Sequence, residues 1–226
     1  MNKLLLAKVS CHHGMMGFEN QLEPAKQLTD YDMIEIDFIY NGQYISSHDY
    51  DEESINKGSS LEGWIDFIME KNKILWINLK DDNISIFLPQ LSNLNIKELF
   101  NILDDCLLKY PSLNQHIIIG CQYHTIYEQL CHNKNYIVIR DLPRDTFYVM
   151  DMLTPHFLSE EVKLLMQDEI VKDVGDAKII AIDHRFFTNT LTEFINHCTA
   201  HIIIIYTVDR SFNILTNKHI IYQYDY

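Results

Sequence analysis

The stretch of sequence that decides the fold is HIIIIYT at residues 201–207, in which four isoleucines follow one another without a polar residue between them. A β-branched run of this length favours a strand, and the absence of alternation makes both faces of that strand apolar. Strands that are buried on both faces are typical of parallel sheets covered by helices. The run Ile117–Ile119 has the same character. The sequence therefore predicts a parallel sheet.

Similar strands recur along the whole chain, with amphipathic helix candidates between them. Predicted helices lie at residues 61–70, 94–109, 125–132, 159–171 and 190–197. Strands that alternate with helices in this way predict an α/β fold, and we expect residues 1–226 to form one compact (β/α)8 TIM-type barrel. A doubly wound open sheet is the alternative. The eight strand candidates are residues 4–10, 33–39, 74–79, 116–122, 136–140, 178–183, 201–207 and 220–224.

The charge and the apolar content of the sequence argue against two classes of binding partner, nucleic acids and membranes. The formal net charge is −14, from 18 basic and 32 acidic residues. This charge argues against non-specific nucleic-acid binding and against docking on anionic membranes. No apolar stretch is long enough to span a membrane, and the N-terminal apolar run at residues 4–7 is too short for a signal peptide. We expect a cytoplasmic protein with a small-molecule substrate, whose five widely spaced cysteines are free thiols. The oligomeric state is not readable from the sequence.

Two carboxylates on the second predicted strand form the first candidate site. Glu35 and Asp37 are two residues apart, so on a strand they point to the same face. If that face lines the mouth of a barrel, the like charges repel unless a proton or a cation compensates them. Oxygen ligands of this kind favour Mg²⁺ or Ca²⁺. The alternative is a half-exposed strand whose polar face meets water.

Two histidines near the same strand ends form the second element. His12 follows the first predicted strand and His48 lies in the loop after the second. Histidine titrates near neutral pH, so a pair can act as base and acid in one reaction. The alternative is that both are ordinary polar loop residues.

The third element is Asn78 and Lys80, which share a face of the third predicted strand. Lysine at this position is suited to holding a phosphate oxygen. Asn78 would either offer its carbonyl oxygen to a metal ion or hydrogen-bond the carboxylates. Lys80 has a second interpretation as well, in which it simply pairs with Glu35 or Asp37.

Taken together, these segments resemble the glycerophosphodiester phosphodiesterase family and its wider phospholipase-C-like TIM-barrel superfamily. In that family a His-Arg-Gly ends the first strand, a Glu-Asn follows, a Glu-x-Asp lies on the second strand, a His-Asp comes after it, and a Glu-x-Lys lies on the third. The order and the spacing agree over residues 11–82. The corresponding residues are His12-His13-Gly14, Glu19-Asn20, Glu35-Ile36-Asp37, His48-Asp49 and Asn78-Leu79-Lys80.

The resemblance implies a metal-dependent phosphodiester hydrolase of lipid metabolism. Its substrate would be a glycerophosphodiester or a lysophospholipid-like headgroup, and two histidines would carry the acid–base catalysis. The cofactor would be a weakly bound Mg²⁺ or Ca²⁺. The implied roles are catalysis for His12 and His48, phosphate binding for Lys80 and His13, and metal binding for Glu35, Asp37 and Asn78.

Two departures from the family pattern define an alternative function. His13 stands where the family has an arginine, and histidine lacks the bidentate fork of that residue. Asn78 stands where a third carboxylate completes the metal site. A degenerate barrel that binds a ligand or protein partner, with little or no turnover, is therefore the second hypothesis.

The spacing along the chain bears on the domain organisation. The 25 residues between His48 and Ile74 leave no room for the small insertion domain of many family members.

Overall fold

The computed structural model describes residues 3–12, 21–27, 29–48, 50–80, 93–121, 124–142, 177–183, 191–208 and 211–224. Every named strand in these ranges belongs to one sheet. The strands are β1 (Val9–His12), β2 (Met33–Tyr40), β3 (Tyr44–Ser46), β4 (Ile74–Leu79), β5 (Ile117–Cys121), β6 (Ile137–Leu142), β7 (Ile179–Asp183), β8 (Ile202–Val208) and β9 (His219–Tyr224).

The sheet has the pairing pattern of a barrel. Its order is β1-β9-β8-β7-β6-β5-β4-β2-β3, and every pairing is parallel except that of β3 with β2. β1 also pairs with β2, with Ser10 opposite Met33 and His12 opposite Glu35. Because β1 pairs with both β9 and β2, the eight parallel strands form a closed ring, whereas an open sheet would lack this second pairing of β1. The prediction of an α/β fold of the (β/α)8 type is confirmed.

Helices lie between the strands, as the alternating pattern predicts. Ser60 caps the third of them, since its hydroxyl accepts a hydrogen bond from the Gly63 backbone N–H at 3.2 Å. That helix ends at Asn72, which adopts the left-handed conformation with φ 58°. The predicted helix 159–171 lies outside the described residues. The helices are α1 (Leu22–Ala25), α2 (Glu52–Lys57), α3 (Leu61–Lys71), α4 (Ile96–Lys109), α5 (His124–Cys131) and α6 (Leu191–His197).

Alternate residues of the strands face outward or into the barrel, and the outward and inward residues pack in separate clusters. On β2, Ile34, Ile36 and Phe38 face outward and pack in one cluster with Trp64 and Ile68 of α3. The opposite face of the strands fills the barrel interior. Its buried apolar residues include Met33, Ile74, Trp76, Ile118 and Ile204. A strand whose two faces are both buried needs no polar alternation, which explains the isoleucine runs.

The first strand differs from its prediction. Residues 4–10 were expected to form it, but Lys3–Leu5 form a 3₁₀ turn and the strand begins at Val9. Leu4 and Ala7 are buried with Met33 and the other interior residues, so these two side chains cover the N-terminal end of the barrel interior. A four-residue apolar run has too few positions to separate a strand from such a turn.

Within the described residues, no helix has both the length and the apolar character needed to cross a membrane. The four cysteines whose side chains are described, Cys106, Cys121, Cys131 and Cys198, are not joined in disulfides. Burial raises the pKa of the Cys106 and Cys198 thiols. These two thiols therefore have little of the thiolate character that a nucleophile requires.

The barrel interior predicts a large cost for a methyl group at Gly120. A Cβ at this position would lie 2.3 Å from Trp76 Nε1, in the interior beside Asn78. We expect Gly120→Ala to lower the free energy of unfolding by about 1 to 3 kcal/mol, since the indole has to move within a packed core. Urea denaturation measures this change.

The matched control is Gly63→Ala. A Cβ at Gly63 would meet its nearest atoms at 3.5 Å, which is ordinary contact. Because Gly63 lies inside α3, alanine there should raise the free energy of unfolding by about 0.5 to 1 kcal/mol. Equal effects of the two substitutions would contradict the tight packing of Trp76 against Gly120.

A buried histidine predicts a pH dependence of stability. His116 is 3% exposed, and its Nδ1 is 2.6 Å from the Lys73 carbonyl oxygen. Burial lowers the pKa of His116 from its ordinary value of 6.5, and the charge of Lys3 adds to this effect, while the bond to Lys73 opposes it. The unfolded chain therefore takes up a proton near pH 6.5, whereas the folded chain does so only at lower pH.

Below pH 6.5 the unfolded state thus binds more protons, and the free energy of unfolding falls as the pH drops toward the folded-state pKa. We expect the fall between about pH 7.5 and about pH 5.5 to be smaller in His116→Gln than in the wild type. Urea titrations of both proteins at the two pH values measure it. Identical slopes would contradict a shifted His116.

Candidate active site

The carboxylates of β2 lie inside the barrel. Glu35 and Asp37 alternate with the outward-facing Ile34, Ile36 and Phe38, and they are 4% and 0% exposed. The interpretation as a half-exposed strand with its polar face in water is therefore wrong. Two buried carboxylates need compensating groups nearby, because removing a charge from water is costly.

Asn78 of β4 joins the two carboxylates. Its Nδ2 donates to Glu35 Oε1 at 2.7 Å and to Asp37 Oδ1 at 2.9 Å. β4 pairs with β2 so that Asn78 lies opposite Asp37, which explains the contact. Since one nitrogen reaches both oxygens, Oε1 of Glu35 and Oδ1 of Asp37 converge on a single point. Hydrogen bonds of this charge-assisted kind are worth about 1.5 to 3 kcal/mol each.

Lys80 lies at the rim of the site. Its Nζ is 3.5 Å from Asp37 Oδ1, and its side chain is 26% exposed while that of Asp37 is fully buried. The backbone N–H of Lys80 donates to the Phe38 carbonyl at 2.9 Å, and its own carbonyl accepts from the Tyr50 hydroxyl at 3.0 Å. The ammonium group therefore stands between the buried carboxylate and solvent.

A fifth polar residue of the site is not predicted from the sequence. Gln223 of β9 is 2% exposed, and its Nε2 donates to Glu35 Oε2 at 2.5 Å. One signal was available, because Gln223 is a polar residue in the otherwise apolar and aromatic segment Ile220–Tyr224. Its partner lies 188 positions earlier in the chain, so no local pattern identifies Glu35 as the residue that it contacts.

The two candidate histidines are placed by their backbones. His12 ends β1 and lies in register with Glu35 of β2. His48 is exposed and follows Ser47, whose backbone N–H donates to the Asp37 carbonyl at 3.0 Å. Both histidines therefore lie on segments that are hydrogen-bonded to β2, the strand that carries the carboxylates. His13, the other candidate phosphate contact, lies outside the described residues.

The end of β3, which leads to His48, is hydrogen-bonded to the segment that follows α2. Ser46 N–H donates to the Ser59 carbonyl, and Ser59 N–H donates to Ser46 Oγ, each at 2.9 Å. A Cβ on Gly58 would meet the Ser46 carbonyl oxygen at 2.3 Å, so the chain approaches β3 closely here. The end of β3 is thereby held against the segment that follows α2.

The donor set fits a divalent cation. No group of three or more His, Cys, Asp and Glu side chains within the described ranges is arranged to hold a metal ion. Two carboxylates do converge on one point, however, and the Oδ1 atom of Asn78 is buried with no hydrogen-bond partner among the described residues. A half-turn of the amide would place this oxygen beside Glu35 Oε1 and Asp37 Oδ1, so that all three could contact one cation. Two carboxylates and an amide oxygen are suitable ligands for Mg²⁺ or Ca²⁺.

Comparison with known proteins identifies the fold. No protein-family model matches the chain, and no curated protein is similar to it in sequence. Solved structures do match, among them an Oleispira antarctica phosphodiesterase in complex with the product sn-glycerol-3-phosphate. That comparison has a TM-score of 0.58 and 12% identity, and it covers 96% of this chain and 92% of the other.

Two proteins from Agrobacterium tumefaciens are similar in structure as well. A glycerophosphodiester phosphodiesterase matches with a TM-score of 0.53 and 12% identity over 95% of each chain. A second protein, assigned as a glycerophosphoryl diester phosphodiesterase, matches with a TM-score of 0.62 and 9% identity, over 96% of this chain and 92% of the other. This chain therefore has the (β/α)8-barrel fold of the glycerophosphodiester phosphodiesterases.

Proposed function

We propose that this protein is a metal-dependent phosphodiester hydrolase that acts on a glycerophosphodiester or a lysophospholipid-like headgroup. The observation that carries the proposal is the convergence of Glu35 and Asp37 on one Asn78 nitrogen, with the Lys80 ammonium at the rim. In a barrel, the C-terminal ends of the strands are where catalytic groups collect. All four residues lie on β2 or at the end of β4.

The cation would be held by Glu35, Asp37 and the amide oxygen of Asn78. A bound divalent ion would withdraw charge from the phosphodiester oxygens and neutralise part of the carboxylate charge. The three ligands are at most 4% exposed, so the chain itself shields this position from water. In a water-poor site, electrostatic contacts to the substrate are stronger than in solvent.

Phosphate binding is assigned to Lys80, with His13 as a second contact. Lys80 is the cationic side chain beside the carboxylates, and its partial exposure leaves it accessible from the mouth. As a compact ammonium it suits a single phosphate oxygen. Tyr50 and Phe38 hold the backbone of Lys80 on both sides, which limits where its side chain can begin.

His12 and His48 are assigned the proton transfers. One histidine accepts the proton of the attacking oxygen as that oxygen bonds to phosphorus. The attacking oxygen belongs to water or to a neighbouring hydroxyl of the substrate. The phosphorus–oxygen bond to the leaving alcohol then breaks, and the other histidine donates a proton to that oxygen. The assignment is supported by the backbone positions of the two histidines, since His12 ends β1 and His48 follows β3, and both segments are hydrogen-bonded to β2.

The substrate class is supported by the fold comparisons. The Oleispira antarctica phosphodiesterase of the same fold was solved with sn-glycerol-3-phosphate as product. Glu35, Asp37 and Lys80 of this chain suit a ligand of the same chemistry, a phosphate beside a polyol. We therefore propose a glycerol phosphate moiety in the substrate.

A second candidate function is ligand binding without turnover. It is favoured by Asn78 and Lys80, which already supply an N–H and an ammonium group to the carboxylates. These donors satisfy part of the negative charge that a cation would otherwise neutralise. The substitution of histidine for arginine at position 13 points in the same direction.

One experiment separates the two functions. Glycerophosphodiesters and lysophospholipids are incubated with the protein and Mg²⁺, Ca²⁺ or Mn²⁺, and phosphorus NMR follows the phosphodiester signal. The hydrolase predicts loss of that signal with a divalent ion and none with excess EDTA. Binding of sn-glycerol-3-phosphate in calorimetry without turnover of any substrate would favour the second function.

A further inference from the structure

Gln223 lies on the last strand of the barrel, facing its interior. On β9 it alternates with Tyr222 and Tyr224, which pack outside the barrel in a cluster with Ile203 and Ile205 of β8, whereas Ile221 belongs to the interior core. Its register partner on β1 is Ser10, and Ser10 is also the register partner of Met33 on β2. β1 therefore separates Gln223 from the strand of Glu35.

The side chain of Gln223 crosses this gap. Its Nε2 donates to Glu35 Oε2 at 2.5 Å, and both residues are buried. A small residue at position 10 of β1 is consistent with this path, since a bulky interior side chain there would stand between the two. The contact links the last strand of the barrel directly to the carboxylate site.

Glu35 is consequently held from two sides. Oε2 accepts from Gln223 of β9, and Oε1 accepts from Asn78 of β4. With both oxygens fixed, the carboxylate plane is fixed as well. Oε1 is then held toward Asp37, whose Oδ1 meets the same Asn78 nitrogen.

The buried amide of Gln223 destabilises the fold, and the contact with Glu35 explains why a glutamine stands at this position. Among the residues that the structure describes, Gln223 Oε1 is buried without a hydrogen-bond partner. A buried acceptor of this kind destabilises the fold, and an isoleucine, as found elsewhere on the interior face, would avoid it. The amide is useful only through its N–H group, and that group contacts Glu35.

We propose that Gln223 is a positioning residue, which orients Glu35 so that its Oε1 and the Asp37 Oδ1 face the same divalent cation. The inference rests on the proposed function, in which Glu35 and Asp37 hold that ion. Groups that hydrogen-bond a metal ligand from behind commonly change metal affinity by about 10- to 100-fold when they are replaced.

The test uses Gln223→Met, which keeps the length of the side chain and removes its N–H donor. Mn²⁺ alone is the probe, and electron paramagnetic resonance measures its binding to the full chain. We expect Gln223→Met to weaken Mn²⁺ binding by about 10- to 100-fold. The control is Gln129→Met on the exposed face of α5, which should bind Mn²⁺ as the wild type does.

The outcomes distinguish this inference from the proposed function. If the wild type binds Mn²⁺ and Gln223→Met binds it equally well, the positioning role is overturned while the metal site stands. If the wild type binds no Mn²⁺, the proposed metal dependence fails, and a second measurement decides the role of Gln223.

That second measurement is a double-mutant cycle on urea unfolding. It combines Glu35→Met with Gln223→Met and needs neither metal nor activity. A coupling of about tenfold in the unfolding constant would support the orientation of Glu35 by Gln223. A coupling near one would overturn it.

Discussion

Replacement of His12 or of His48 with alanine is expected to lower the turnover of a glycerophosphodiester by a factor of about 10² to 10⁴. Each variant would lose one of the two proton transfers, either from the attacking oxygen or to the leaving alcohol. His48 is exposed, so its replacement should leave the fold intact. Steady-state kinetics with a saturating divalent ion measures the loss, and circular dichroism verifies the fold of both variants.

The matched control for these variants is His132→Ala. His132 is an exposed histidine just after α5, away from β1 and from the loop that carries His48. Its replacement should leave turnover at the wild-type level. Full activity in His12→Ala or in His48→Ala would remove that histidine from the mechanism.

Asn78→Asp is expected to lower the free energy of unfolding without a divalent ion and to raise the affinity for Mg²⁺ or Ca²⁺. The variant loses the Nδ2 donor to both Glu35 and Asp37 and adds a third carboxylate beside them. Without a divalent ion, the free energy of unfolding should fall by about 3 kcal/mol, because buried carboxylates lose charge-assisted hydrogen bonds. With Mg²⁺ or Ca²⁺, the third charge should tighten binding by about 10-fold, and Asn78→Glu should act in the same direction.

Urea unfolding and isothermal titration calorimetry measure the two effects. Asn135→Asp, in an exposed turn, makes the same change of charge away from the site and should alter neither quantity by much. Equal divalent affinities in the wild type, Asn78→Asp and Asn78→Glu would show that residue 78 does not face the cation. The metal site would then need a different third ligand.

Much of the strand pattern is readable because local sequence determines it. β4 was predicted with its observed bounds, Ile74–Leu79, and most other strands differ from their predictions by one or two residues at an end. Continuous isoleucine runs are a strong signal where both faces of a strand are buried. The burial of Leu4 and Ala7 was not readable, since only the closed barrel gives these two side chains a place to be buried.

Part of the candidate site was also readable. Glu35 and Asp37 share a strand face, as do Asn78 and Lys80, and the C-terminal ends of parallel strands meet at one end of a barrel. Those two rules are enough to bring the four residues together. The roles assigned to them in metal and phosphate binding remain predictions.

Two features of the site depended on the three-dimensional structure. The sequence left open whether Asn78 presents its carbonyl oxygen or its N–H group to the carboxylates, and in the structure the N–H group faces them. Gln223 is joined to Glu35 across β1, and this contact depends on the register of three strands at once. No periodicity within one segment contains that information.

Lys80 links the two candidate functions. Its ammonium is 3.5 Å from Asp37 Oδ1, where it partly compensates the buried charge. A divalent ion between Glu35 and Asp37 would compete with that interaction and release Lys80 toward a phosphate in the mouth. Under the proposed function, competition between the two cations would decide whether Lys80 stays on Asp37 or contacts a phosphate.

The most direct measurement of the central claim is a crystal structure of the protein with Mn²⁺ and sn-glycerol-3-phosphate, with the metal located by anomalous scattering. We expect one manganese peak bonded to Glu35 and Asp37, with the Asn78 amide turned to present its oxygen and Lys80 on the phosphate. A site without manganese, in which Asn78 still donates to both carboxylates while the ligand binds elsewhere, would contradict the assignment of this site as a phosphodiesterase centre.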